Sequence, residues 1–181
     1  IQTRYSVIPD YSVEPDKRQF YSKSADLEPF PGLEKRMVWY ADNAANLSVK
    51  TIQKCIEGKI KPEEITHLVT VSCTGMSAPG LDLEIMEMMD LPRKLFRTSV
   101  NFMGCYAAIH ALKLADAICR SDDNANVVIV CTEFCTLHFQ KEISIDNITS
   151  TLLFADGSAA VLVQSGKSIS KGISINNFFS D

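Results

Sequence analysis

With 181 residues, 46% of them apolar, 22% charged, and a formal net charge of −4, the chain has the size and balance of one globular domain with a real core. The acidic balance gives no general pull toward nucleic acid, and the densest basic clusters, Lys35-Arg36 and Arg93-Lys94, are only pairs. No apolar stretch approaches the ~18 residues that a membrane span needs, so no membrane partner is expected. The chain opens Ile1-Gln2-Thr3-Arg4, with neither a signal-peptide pattern nor an initiator Met, which predicts a start inside a longer polypeptide.

Residues 1–36 are polar and punctuated by Pro9, Pro15, Pro29 and Pro31-Gly32. They read as an irregular lead-in that packs on something else, followed by a main unit over 37–181. Apolar steps of three and four at Val38, Ala41, Ala45, Val49, Ile52 and Ile56 predict a helix over 35–57, ended by Gly58. A β-branched run over 65–72 predicts a strand, and a tight loop over 73–80 leads into a helix over 81–89. Asp90-Leu91-Pro92 stops that helix. Strands follow over 96–100, 126–133 and 158–164, with a long helix over 105–120 between the first two. A last extended stretch is expected over 169–179. Asp156-Gly157 reads as a turn. Strands alternating with helices predict an α/β layered fold with a mostly parallel or mixed sheet.

Six cysteines stand at positions 55, 73, 105, 119, 131 and 135. No CxxC pair supports a zinc site, so no metal is expected, and free thiols in a reducing cytoplasm are the default. Cys105 is the sharpest signal. It follows Asn101-Phe102-Met103-Gly104 where a strand hands over to a helix. Gly104 permits a sharp turn, and the unpaired N–H groups of a helix start favour a thiolate. The helix behind it carries a broad apolar stripe, which predicts a buried helix with its N-terminus aimed inward. The alternative is that Cys105 is a small core residue.

Cys55 and Cys119 sit among apolar helix neighbours and Cys131 lies in a strand, so packing is expected for all three. Cys73 and Cys135 follow strands, where the walls of α/β sites gather, and either could line a cavity, though local pattern alone favours packing. Of three histidines, His110 falls on a polar helix edge and His67 within a strand. His138 follows a strand and could reach a cavity. None is spaced as an obvious base for Cys105. The glycine stretches Gly75…Gly80 and Asp156-Gly157 match no phosphate-cradling motif.

Several segments together resemble one family, the type III polyketide synthases (chalcone synthase-like), in its bacterial branch. Lys35-Arg36-Met37…Tyr40 looks like its helix start. The run from Ile65 to Gly75 and the following Ser77-Ala78-Pro79-Gly80-Leu81-Asp82 resemble its strand and dimer-contact loop. Phe102-Met103-Gly104-Cys105-Tyr106-Ala107-Ala108 is similar to its nucleophile motif, and Leu153-Phe154-Ala155-Asp156-Gly157-Ser158 to its turn-and-strand signature. The resemblance implies part of a thiolase-like αβαβα layered fold, the N-terminal half lacking its first strand.

It also implies an acyltransferase and condensing enzyme. Cys105 would accept a starter acyl group from coenzyme A and extend it by decarboxylative Claisen condensation with malonyl-CoA, making a polyketide. The coenzyme A thioesters are substrates, and no cofactor is implied. Phe154 takes the role of a gating phenylalanine. Cys73, Cys135 and His138 take cavity-lining positions that control starter and chain length. Ala78 takes the tip of a loop that reaches into the partner's cavity in a homodimer, where plant members usually carry Met. The histidine and asparagine that stabilise the oxyanions fall outside these residues, so the chain alone is expected not to turn over. Two alternatives stay open: a 3-oxoacyl-acyl-carrier-protein synthase III-like enzyme of the same fold, and a non-catalytic fragment or assembly module.

Overall fold

The computed structural model describes residues 3–166 and 172–179. Four helices, α1 (Leu33–Ile56), α2 (Leu81–Met88), α3 (Ala107–Ser121) and α4 (Ile145–Leu153), accompany four strands, β1 (His67–Ser72), β2 (Phe96–Asn101), β3 (Asn126–Phe134) and β4 (Asp156–Gln164). The strands form one sheet in the order β2-β1-β3-β4. β1 runs parallel to both β2 and β3, and β4 closes the far edge antiparallel to β3.

Alternation along the strands builds two cores. Leu68, Val128, Val130 and Phe134 face α1 and α2, where Tyr40, Ala44, Ile52 and Ile85 close the larger core. Val69, Val71, Val127 and Ile129 face the other way, onto the stripe Ala107, Ala111, Ala115 and Cys119 of α3. Strands buried on both faces need apolar residues at every position, which is why β3 reads Val-Val-Ile-Val. The result is a helix–sheet–helix sandwich.

The lead-in packs on the larger core through Ile8, Phe20 and Tyr21. Asp10 fixes its path: the buried carboxylate accepts the N–H groups of Gln19 (2.7 Å), Phe20 (2.9 Å) and Tyr21 (2.6 Å). Those donors have no ladder partner, and a carboxylate satisfies three of them at once.

Four sequence expectations need correction. The buried stripe of α1 begins at Tyr40 and Ala44, and Val38 is exposed, because the Tyr40 ring and not Val38 packs on Phe134. Asp156 and Gly157 are not a turn but the first residues of β4, paired with Phe134 and Glu133. Helix α4 has no counterpart among the expected elements. Of the last extended stretch, residues 169–171 lie outside the described residues, and 172–179 form no strand.

Candidate active site

The parallel strands β1 and β3 both end on the same side of the sheet, and a cavity of about 500 Å³ opens there. This is where parallel α/β sheets present their ligand-binding side chains. Cys73 and Thr74 leave β1, Glu133 ends β3, and Cys135 and His138 follow in a short 3₁₀ turn (Cys135–His138). Cys105 comes from the turn before α3, and Phe154 from the end of α4. Five of the six residues singled out by sequence therefore line one cavity: Cys105, Cys73, Cys135, His138 and Phe154. The sixth, Ala78, sits exposed on the loop before α2 and does not line the cavity of its own chain.

The turn carrying Cys105 differs from expectation. Cys105 does not open the α-helix but lies in a 3₁₀ turn, Gly104–Tyr106, and the helix starts at Ala107. Gly104 has φ +68° and Phe102 φ +57°. Bulky residues rarely adopt that left-handed region, so the turn around the cysteine is locally strained. The thiol is exposed, not buried at an inward-aimed helix end. The buried face of α3 begins only at Ala107, so the preceding turn stays on the rim. Cys105 therefore packs into neither core of the described residues.

Glu133 organises the cavity floor. Its carboxylate accepts the Cys73 N–H (2.9 and 3.0 Å) and the Thr74 hydroxyl (2.6 Å). The Cys73 thiol in turn points at the carbonyl of Gly104, 3.5 Å away, next to Cys105. Burial, followed by the charge of Glu133, pushes the Cys135 thiol up to about 11, and the same causes push Cys131 up. These two thiols therefore stay protonated at neutral pH. Cys131 was expected in the core, but it is half-buried and lines the cavity.

His138 is not a base for Cys105. Its Nε2 donates to the Thr74 carbonyl at 2.6 Å, and its Nδ1 accepts from Arg36 at 3.4 Å. The ring ties β1's exit loop to the 3₁₀ turn. His67 lies at the opposite end of β1, stacked on Phe96, where burial holds its imidazole below the usual value. His110 packs edge-on against Tyr106.

Phe154 caps α4 and is 43% exposed, so it is a wall residue and not core. Arg4 grips its carbonyl through Nε (2.9 Å) and a terminal nitrogen. A cation there also suits the negative end of the helix. Arg4, Tyr11, Cys131, Glu133 and the α4 residues were missed by sequence reasoning. Only Glu133 carried a signal, a lone charge ending an apolar strand.

A helix–sheet–helix unit with an exposed cysteine at the ends of parallel strands is a thiolase-like α/β arrangement, and the solved structures agree. The chain superposes on PKS-I from the brown alga Ectocarpus siliculosus with TM-score 0.82 and 28% identity, over 93% of this chain and 45% of that one. For the C-terminal type III polyketide synthase domain of Steely1 from Dictyostelium the values are 0.79 and 26%, over 91% and 43%. For 1,3,6,8-tetrahydroxynaphthalene synthase from Streptomyces coelicolor they are 0.71 and 29%, over 77% and 40%.

Residues 19–167 match the family model for chalcone and stilbene synthases, N-terminal domain. The chain belongs to that family. It is 32% identical over 132 residues to the alpha-pyrone synthesis polyketide synthase-like Pks18 of Mycobacterium tuberculosis, spanning 72% of this chain and 34% of that protein. It spans about a third of that relative and less than half of each of these solved structures.

Proposed function

We propose that this chain is the nucleophile-bearing part of a condensing enzyme that makes a polyketide from coenzyme A thioesters. The Cys105 thiolate attacks the thioester carbonyl of a starter acyl-CoA, and coenzyme A leaves as its thiol. Malonyl-CoA loses carbon dioxide to give an enolate, whose carbon attacks the Cys105 thioester. The cysteine leaves as thiolate, and the chain is longer by two carbons. The observation that carries this reading is the sharing of one cavity by Cys105, Cys73, Cys135, His138 and Phe154.

Within this reading Phe154 gates the cavity, while Cys73, Cys135 and His138 set the room for starter and product. The oxyanion-stabilising histidine and asparagine come from outside these residues. His138 cannot supply the first role with both ring nitrogens engaged. The enzyme works as a cytoplasmic homodimer, with the loop of Ala78 entering the partner's cavity.

The test is mass spectrometry with peptide mapping after incubation with a panel of acyl-CoA thioesters. An acyl adduct on Cys105 and no other thiol is expected. Adducts spread evenly over the six cysteines would sink the proposal. So would an unmodified Cys105 whose thiol still reacts with iodoacetamide. The chain alone is expected to release no polyketide, and product from a verified 181-residue chain would refute that part.

A further inference from the structure

Helix α4 lines the cavity with a polar row. At roughly 100° per residue, Asn147, Ser150, Thr151 and Phe154 fall on one narrow face. That face lines the cavity. The opposite face carries Ile145, Ile148 and Leu152, all exposed. The cavity-lining side is a row of hydroxyl and amide groups.

The rest of the lining is mixed, with Thr74, Glu133, Thr136 and His138 among its polar groups. Val71 and Cys131 of the sheet, Ala108 of α3 and Cys105 of the preceding turn offer only methyl groups and thiols. Asn147 gives its amide N–H to the Glu142 carbonyl and leaves its oxygen uncommitted. The hydroxyls of Ser150 and Thr151 form no hydrogen bond among the described residues. Arg4, at the end of α4, spends two donors on the Phe154 carbonyl and borders the same cavity with the rest. Unspent O–H and N–H donors in the cavity that Cys105 also lines match a ligand rich in acceptor oxygens. A plain alkyl chain would strip water from them and give nothing back.

We propose that Ser150, Thr151 and Arg4 form an oxygen-recognising wall that positions a β-keto acyl chain, or its cyclised hydroxypyrone, in the cavity that Cys105 also lines, and that disfavours unsubstituted alkyl chains. This rests on the polyketide reading and makes Ser150 and Thr151 specificity-determining residues for it.

The test uses the 181-residue chain and two probes, 4-hydroxy-6-methyl-2-pyrone and octanoate, as protectants of Cys105 against iodoacetamide. Modification is read by peptide mass spectrometry. The pyrone is expected to protect at a lower concentration than octanoate. Thr151→Val removes one hydroxyl without changing shape, and should raise the pyrone's half-protecting concentration about fivefold, one hydrogen bond's worth. Ser150→Ala should act in the same direction, and neither change should weaken octanoate. A thermal melt confirms that the variants fold, and Arg4→Gln provides an independent check from another segment. Stronger protection by octanoate, protection by neither probe, or a pyrone constant unmoved in the folded variants would overturn the wall. Failure of acyl-CoA to label Cys105 would sink the polyketide reading separately, since probe protection requires no chemistry.

Discussion

Cys135 and Cys105 share a cavity but differ in what surrounds the sulfur. Burial, then the Glu133 charge, raises the Cys135 thiol from its ordinary 9.0 to about 11. Iodoacetamide reacts with thiolate, so labelling of Cys135 should keep climbing about tenfold per pH unit up to near pH 11. A free thiol levels off near pH 8.5. Glu133→Gln removes the second cause and should make Cys135 react faster at pH 8. A Cys135 peptide whose labelling plateaus below pH 9 would contradict the assignment. The sign of the stability effect follows from the same shift. Above pH 9 the unfolded chain releases this proton while the folded chain keeps it, so the folded state loses ground as pH rises from 9 toward 11. His67 works at the other end of the scale. Its imidazole is held low by burial, so stability falls as pH drops through the ordinary 6.5 and lower.

Two glycines separate the ways in which an element can depend on the absence of a side chain. Gly104 has φ +68° with nothing within 4 Å of an added Cβ. Gly104→Ala should cost about 1–2 kcal/mol from backbone conformation alone. Gly75 has no unusual φ, yet a Cβ there would fall 2.2 Å from the Tyr40 ring. Tyr40 is 1% exposed and cannot swing away, so Gly75→Ala should cost about 1–3 kcal/mol from overpacking. Thermal melts of Gly75→Ala with and without Tyr40→Leu decide the mechanism. The penalty should shrink when Tyr40→Leu is also present, and an unchanged penalty would locate the cost elsewhere.

At the same scale, strands β1 and β3 and helices α1 and α3 were legible because periodicity follows burial. Helix α4 was not, because Ile-Asp-Asn-Ile-Thr-Ser-Thr is β-branched and polar, poor in helix propensity. The structure caps it with Ser144, whose Oγ accepts the Asn147 N–H at 3.2 Å. The cavity-facing residues of α4 were hidden because a polar stripe reads as a solvent face when the cavity behind it is unknown.

Across the whole molecule, Asp156 joins segments far apart in sequence. Its carboxylate accepts the Val7 N–H (2.7 Å), the Thr136 N–H (2.8 Å) and the Thr136 hydroxyl (2.6 Å). Its own N–H donates to the Tyr5 carbonyl at 3.0 Å. The lead-in, the 3₁₀ turn of the cavity and the start of β4 thus meet on one side chain. This is why an Asp-Gly pair with turn chemistry sits in a strand: three charge-assisted bonds outweigh a weak local preference. Spacing along the chain carries no trace of such a knot, since residues 7 and 156 are brought together only by the sheet. Asp156→Asn keeps the shape but halves the acceptor capacity and leaves an N–H donor facing other donors. It should cost about 1–3 kcal/mol and free the lead-in first. Limited proteolysis should then cut within residues 3–12 faster than in the parent chain, while cleavage of β1 and β3 stays slow. Cys105 should also label with less protection from added pyrone, because Arg4 belongs to the released segment. Equal cutting rates in the lead-in would show that Ile8, Phe20 and the Asp10 carboxylate hold it without Asp156.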